Sequence, residues 1–209
     1  MAFYTTLYFC HMAKRMLSLK EGTDPQWVTL VQKDLEEILT DHAWAEQKAA
    51  STAISIMVQF PEFSEVVTFA AEVAREELEH FQDVHRIILE RGFILGRERK
   101  DKYVHDLMTF FKKGGRSREQ MLVDRLLFAA MIEARSCERF RVLADHIDDE
   151  DLSNFYRRLM KSEAGHYSQF LLLAKNVGGK EAVDQQWKAF LDHEKEVISR
   201  YGKSAGIHG

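Results

Sequence analysis

Two Glu-x-x-His pairs are notable because each lies within an otherwise apolar helical pattern. Glu77 and His80 interrupt a seam of apolar residues that recurs every four and three positions through residues 63–92. Glu163 and His166 occupy the same two positions of a second such seam. A spacing of three places both side chains of a pair on one helix face. Carboxylate and imidazole groups that face a core are typical ligands of divalent metal ions.

Two further glutamates, Glu46 and Glu133, each lie in the middle of another apolar seam. The order Glu, Glu-x-x-His, Glu, Glu-x-x-His indicates two copies of a helix pair. If the four helices pack together, four carboxylates and two imidazoles meet at mid-depth, which is the ligand set of dinuclear iron or manganese sites in helix bundles. The predicted ligands are Glu46, Glu77, His80, Glu133, Glu163 and His166.

The charge balance of this cluster favours bound metal. Four buried carboxylates without counter-charge would each cost several kcal/mol, whereas two divalent cations would cancel them. Oxygen-rich ligation without thiolate favours iron or manganese over copper or zinc. His42 and Cys137 each lie one turn from a predicted ligand, and we interpret both as packed side chains rather than ligands, the alternative being that either one supports a neighbouring ligand. The alternative, that these glutamates face solvent, requires a wrong register in four separate helices.

The elements that carry these residues are predicted to be helical, because the chain has two prolines, eleven glycines and no hairpin signal. Two long helices with a short join, a long connection and two more long helices predict an all-α, ferritin-like four-helix bundle with one crossover. The four helices are expected at 24–60, with a possible break near Thr40, and at 63–91, 117–145 and 151–177. The whole chain, 1–209, is predicted as one domain with an arm at 1–23, the bundle at 24–178, a crossover with a short helix at 93–116, a C-terminal helix at 179–201 and a frayed tail at 202–209.

The composition of the chain, and its cysteines in particular, indicates the cellular compartment of the protein. The sequence contains no run of about twenty apolar residues, which is the length that a membrane-spanning helix needs. Cys10 and Cys137 form no CxxC pair, which indicates a reducing compartment, and the first residues lack the features of a signal peptide. We therefore expect a cytoplasmic protein, and one complete ligand set per chain is adequate for a monomer.

Four sequence blocks resemble one known family. The combination is similar to the tRNA methylthio-isopentenyl-adenosine hydroxylases, often called MiaE. The blocks are TDHAWAEQKAASTA at 40–53, REELEHF at 75–81, IEARSCERF at 132–140 and SEAGHYSQFL at 162–171. The resemblance implies a non-haem di-iron monooxygenase that hydroxylates the isopentenyl group of a modified adenosine beside the tRNA anticodon, with O2 and an external reductase. It implies two iron ions held by the six predicted ligands, with Glu77 and Glu163 as bridges.

An RNA partner has one candidate surface in this acidic chain. Residues 97–118 contain eight basic and three acidic residues, a net charge of +5, which leaves −9 for the rest. The segment is a candidate phosphate clamp, and Tyr103, Phe110 or Phe111 are candidates to stack on a loop base. The alternative is a solvated basic connection whose aromatic residues pack on the bundle. The basic residues are Arg97, Arg99, Lys100, Lys102, Lys112, Lys113, Arg116 and Arg118.

Other functions are compatible with such a cluster. A ferroxidase or peroxide scavenger, as in ferritin or rubrerythrin, would use similar ligands, although rubrerythrin-like CxxC pairs are absent. A quinone-ring hydroxylase is expected to expose an apolar membrane-binding face. A metal-stabilised RNA-binding module would bind iron and tRNA without catalysis.

Overall fold

The computed structural model describes residues 17–111, 114–201 and 206–208. The predicted arm up to residue 16, with Cys10, and the predicted clamp residues Lys112 and Lys113 lie outside the described part. Within that part all regular elements are α-helices. They are α1 Gln26–Val31, α2 Leu35–Gln59, α3 Ser64–Glu90, α4 Lys102–Met108, α5 Arg118–His146, α6 Glu150–Gly178 and α7 Lys180–Tyr201.

Four of these helices, α2, α3, α5 and α6, form the bundle that the sequence predicts. Helix α2 packs along α3 after a short turn, and α5 packs along α6 after another. The crossover carries the short helix α4 between the two pairs, and α7 packs on α4 and α6. None of the helices in the described part of the chain has the length and hydropathy needed to cross a bilayer.

Short polar side chains fix where three of the four bundle helices begin, whereas α3 follows Phe63 without a side-chain cap. The Asp34 carboxylate accepts from the Glu37 amide at 3.0 Å, and Asp149 accepts from Leu152 at 2.9 Å. Ser117 forms a reciprocal capping box with Gln120 at the start of α5. Such caps satisfy amides that have no partner within the helix.

The predicted break near Thr40 is wrong. The chain breaks at residues 32–34, where Asp34 caps a new helix, and Thr40 lies buried within α2. The Thr40 hydroxyl instead accepts a hydrogen bond from the Gly96 amide at 3.3 Å. The β-branched residue therefore fixes the crossover against α2 rather than interrupting the helix.

The apolar core consists of two clusters at successive depths of the bundle. One contains Ala53 and Val73, and the other contains Ala43 and Val84. On α2 and α3 the residues between these positions include Glu46 and the Glu-x-x-His pair. The predicted ligands therefore lie in a polar layer between two apolar ones.

Helix α7 is joined to the core by buried ionic contacts. The Arg135 guanidinium donates from Nε to Glu194 Oε1 at 3.1 Å, and the Tyr103 hydroxyl donates to the same oxygen at 3.1 Å. All three side chains are inaccessible to solvent. Helices α4, α5 and α7 are thus connected through one buried carboxylate.

Candidate metal centre

The six predicted ligands meet in the polar layer. They form two groups, and within each group one nitrogen or oxygen atom per residue lies within 4.8 Å of all the others. Glu77 and Glu163 belong to both groups, which is the geometry expected of bridging carboxylates. The role of all six residues as metal ligands stays a prediction. The groups are Glu46, Glu77, His80 and Glu163, and Glu77, Glu133, Glu163 and His166.

The two imidazoles approach Glu77 from opposite groups. His166 Nδ1 lies 2.9 Å from Glu77 Oε1, and His80 Nδ1 lies 3.2 Å from Glu77 Oε2. His80 Nδ1 is also 3.5 Å from Glu163 Oε1. Both histidines therefore present the same ring nitrogen to the carboxylates.

Several of these atoms lack the hydrogen bonds that burial would normally require. Glu163 Oε1 is buried without a hydrogen-bond partner, and Glu77 Oε1 and His166 Nδ1 contact each other at 2.9 Å without the geometry of a hydrogen bond. Buried polar atoms without partners cost about 1–3 kcal/mol each, and more when charged. Lone pairs that converge without hydrogen bonds fit divalent cations, so the residues present suit a pair of metal ions.

The protonation of the metal-free cluster follows from burial. Burial raises the pKa values of Glu46, Glu133 and Glu163 well above the usual range, and neighbouring carboxylates raise those of Glu46 and Glu163 further. Burial alone would also raise the pKa of Glu77, but its contacts with His166 and His80 lower it. Burial would lower the pKa of His166, yet its contact with Glu77 raises it to about 9. Burial therefore favours the uncharged forms of these three carboxyl groups when no metal is bound.

His42 and Cys137 are both packed side chains. His42 Nε2 lies 2.6 Å from Glu46 Oε1, and its ring packs 4.8 Å from that of Phe140. Burial lowers the pKa of His42 to about 3, so its ring is neutral. The Cys137 thiol donates to the Met160 carbonyl at 3.2 Å and belongs to neither ligand group. His42 contacts a predicted ligand as well as the core.

One contact of the centre was missed in the sequence. Glu76 Oε2 lies 2.9 Å from His166 Nε2, the nitrogen that faces away from the carboxylates. A carboxylate in this position fixes the orientation of a metal-binding imidazole and raises its basicity. The one feature of the sequence that could have indicated this contact is that Glu76 directly precedes the predicted ligand Glu77.

A narrow cavity, here called the inner cavity, borders the centre at Glu133. Its walls come mainly from α2 and α5, and small side chains on α2 leave the space open. The apolar part of its lining comprises Ala45, Ala49, Ala53, Val73, Val104, Phe128, Ala129, Ile132 and Phe170. The polar part comprises Asp41, Lys48, Thr52, Asp101, Glu133 and His208.

The chain near its C-terminus contributes to this cavity. His208 Nδ1 lies 3.1 Å from Asp101 Oδ2, and its Nε2 lies 3.1 Å from the Ser136 hydroxyl. The Ile207 amide donates to Asp41 at 2.8 Å. The predicted fraying is therefore wrong for residues 206–208. No periodic pattern in the sequence could have indicated this return.

The basic segment 97–118 is partly neutralised by its neighbours. Arg99 donates to Glu37 at 2.7 Å, Arg116 to Asp124 at 2.8 Å and Arg118 to Glu62 at 2.7 Å. The other described basic residues of the segment form no ion pair with any residue that the structure describes. These are Arg97, Lys100 and Lys102.

The three aromatic residues of the segment differ in their surroundings. Tyr103 is wholly buried and bonded to Glu194, so it has no free face for a base. Phe110 packs 4.8 Å from the ring of Phe190. Phe111 also packs near Phe190 but lines a second cavity. The packed interpretation therefore applies to Tyr103 and Phe110.

Fold and site together define a ferritin-like protein with a candidate dinuclear metal centre in its bundle. The chain belongs to the MiaE family, because residues 11–209 match the family described as tRNA-(MS[2]IO[6]A)-hydroxylase. The predicted resemblance is thus confirmed, and the family and its relatives place the chain among hydroxylases.

Two curated relatives carry the name tRNA 2-(methylsulfanyl)-N(6)-isopentenyladenosine(37) hydroxylase. The protein from Pseudomonas putida KT2440 is 36% identical over 187 residues, which is 89% of each chain. The protein from Salmonella typhimurium LT2 is 30% identical over 184 residues, 87% of this chain and 59% of that one.

A solved structure supports the fold class. It is described as protein 43 with aldehyde deformylating oxygenase activity from Synechococcus, and it is 31% identical with a TM-score of 0.83. The match covers 91% of this chain and 95% of the other. The predicted ferritin-like bundle is confirmed.

Proposed function

We propose that this protein hydroxylates the isopentenyl group of a modified adenosine next to the anticodon of tRNA, with O2 and electrons from an external reductase. The observation that carries the proposal is the convergence of six ligand-type side chains, five of them buried and His80 partly buried, beside a cavity with largely apolar walls. Family membership supplies the substrate class, since both curated relatives are named for this reaction.

The proposed cofactor is a pair of iron ions. Glu46, Glu77 and His80 would hold one ion together with Glu163, and Glu133 and His166 would complete the shell of the other. Glu77 and Glu163 would bridge the two, since each belongs to both groups. When bound, the iron pair would supply the oxygen activation that insertion into a C–H bond requires.

The protein would hold the alkyl chain in the inner cavity. The cavity reaches Glu133 between small and apolar side chains such as Ala49, Ala53 and Ile132. Apolar walls favour a hydrocarbon over water and keep the reacting carbon in a dry site. The carboxylate of Glu76 would hold the His166 ring in one orientation throughout.

The RNA contacts proposed for the basic segment divide into two sets. Arg97, Lys100 and Lys102 form no ion pair with a described residue and would contact phosphates, and Lys112 and Lys113 remain candidates from the sequence alone. Arg99, Arg116 and Arg118 would contribute less, because each already contacts a carboxylate. We further propose a cytoplasmic monomer, since each chain carries one complete ligand set.

The test is mass spectrometry of nucleosides from prenylated tRNA incubated with iron-loaded protein, a reductant and O2. We expect the prenylated adenosine to gain one oxygen atom, and the atom to be labelled when 18O2 is used. Unchanged nucleoside in the presence of bound, redox-active iron would contradict the proposal. Iron oxidation without RNA modification would then favour a ferroxidase.

A further inference from the structure

A second and wider cavity, here called the outer cavity, lies beside the inner one. Its volume is about 610 Å³, and its lining includes Phe60, Met108, Phe111, Met121 and Arg125. This volume falls within the range of about 300–1,000 Å³ that is usual for ligand sites. Phe128 lines both cavities, so its ring is a shared wall between them.

The two cavities follow one face of helix α5. Met121, Arg125, Phe128 and Ile132 recur at spacings of four, three and four, which keeps them on a single face. Arg125 precedes Glu133 by eight residues, a rise of about 12 Å along the helix. A group held at the outer cavity is therefore close to any group held at the candidate centre.

The outer cavity has an unbalanced positive charge at Arg125. Its other charged lining residues are already paired, since Arg118 donates to Glu62 at 2.7 Å and Asp124 accepts from Arg116 at 2.8 Å. Arg125 is partly buried and forms no hydrogen bond or ion pair with any described residue. A partly buried guanidinium without a partner, in a concave apolar site, is suited to a phosphate or another planar anion.

We propose that the outer cavity binds the nucleotide adjoining the modified adenosine, with Arg125 on its phosphate and the apolar lining against its base. Unstacked loop bases bind to aromatic and apolar side chains, while cationic side chains bind their backbone. The inference rests on the proposed function, because it needs the modified adenosine in the inner cavity. It adds a cationic contact, Arg125, that lies outside the basic segment, although that segment supplies part of the cavity wall.

The first test compares Arg125→Gln with Arg141→Gln. Both arginines are partly buried on α5, both substitutions remove one charge, and position 141 lies about 24 Å further along the helix. For a prenylated anticodon stem-loop, we expect Arg125→Gln to raise KM and Kd about tenfold with kcat unchanged, and to reduce the salt slope by about one. On the free modified nucleoside, which has no neighbouring phosphate, Arg125→Gln should match the wild type.

The second test uses opposite charges at the exposed Met121. Met121→Lys should lower the Kd for the stem-loop several-fold, and Met121→Glu should raise it several-fold, because the two place opposite charges in the cavity wall. Equal effects of the two substitutions would indicate lost packing rather than a phosphate nearby.

The inference is overturned if Arg125→Gln and Arg141→Gln bind the stem-loop equally. It is also overturned if Arg125→Gln slows both substrates and raises KM for the reductase, which would assign the outer cavity to a protein partner. If the wild type binds RNA but hydroxylates neither substrate, the proposed function fails, and the Kd comparison still decides whether Arg125 contacts RNA.

Discussion

Glu77 differs from the other carboxylates of the candidate centre because both histidine rings lie against it, at 2.9 and 3.2 Å. Its pKa is lowered while those of the other three are raised. In the metal-free protein, Glu77 is thus the ionised member of the cluster and His166 its cationic partner. Metal ions must displace that proton and the protons on the raised carboxylates.

We expect Glu77→Ala to lose iron and activity together. A residue that belongs to both ligand groups affects both ions, so iron content should fall from about two ions per chain to less than about one, and hydroxylation by at least about 100-fold. Metal analysis and product formation measure the two effects. Glu79→Ala is the control, since Glu79 lies two residues away on the exposed side of α3, paired with Arg75. Retention of both ions by Glu77→Ala would contradict the ligand assignment.

For individual residues, the sequence predicted which six side chains come together in the candidate centre, but it did not predict all of the residues that contact them. The helical repeat of apolar residues alone predicted that the six ligand-type side chains lie on inward faces. A Glu or His within such an apolar seam is easily recognised. His208 and Arg125 gave no such signal. His208 depends on a chain return, and the absence of a partner for Arg125 among the described residues is evident only once its neighbours are known to be paired.

At the level of the helices, two glycines on α6 provide a matched test of packing. A Cβ at Gly178 would lie 2.7 Å from Val123 and 2.9 Å from Val183, whereas a Cβ at Gly165 would meet nothing within 4 Å. We expect Gly178→Ala to destabilise the protein by about 1–3 kcal/mol through overpacking. Gly165→Ala should stabilise it by about 0.5–1 kcal/mol, because alanine favours the helix. Urea unfolding measures both, and equal effects would rule out a close approach at residue 178.

The crossover is fixed to the C-terminal segment through Asp101. Burial alone would raise the pKa of Asp101, but contact with His208 and the hydrogen bond from the Val104 amide lower it overall. The folded pKa therefore lies below that of the unfolded chain. The stabilisation is present above about pH 4 and is lost as the pH falls further.

We expect Asp101→Asn to destabilise the protein by about 1 kcal/mol at pH 7, with a smaller difference from the wild type below about pH 4. Asparagine still caps α4, so the loss isolates the contact with His208. Urea unfolding across pH measures the effect, with the exposed Asp145→Asn as control. A pH-independent difference would contradict this account.

The order of the helices could be predicted from the sequence, whereas the helix boundaries and the contacts between helices were harder to predict. Long apolar seams and short joins define the bundle, because period and connection length are local properties of the sequence. The break at residues 32–34 was misplaced because a single aspartate cap decides it. The burial of Tyr103 was also not evident, because it depends on Glu194 from a helix ninety-one residues later.

For the whole molecule, metal binding and folding are coupled. A ligand present at about 100 times its Kd stabilises the folded state by about 2.7 kcal/mol, which for a chain of this length corresponds to roughly 5–10 °C in Tm. We expect anaerobic loading with Fe²⁺ to raise Tm by about this amount, as measured by calorimetry. In Glu163→Gln the rise should largely disappear, while the metal-free variant should be as stable as the metal-free wild type, because burial raises the pKa of Glu163 and so favours its uncharged form when no metal is bound. A full rise in the variant would exclude Glu163 as a ligand.

The buried contact between Arg135 and Glu194 constrains how the molecule can vary in evolution. Breaking such a pair by removing one partner costs about 3–5 kcal/mol, whereas apolar replacement of both is often neutral. Positions 135 and 194 should therefore covary among natural sequences, charged together or apolar together. A chain that lost its last helix would leave the buried Tyr103 hydroxyl without its acceptor and Arg135 with Glu138 as its remaining carboxylate partner, so the bundle and that helix are expected to be inherited together.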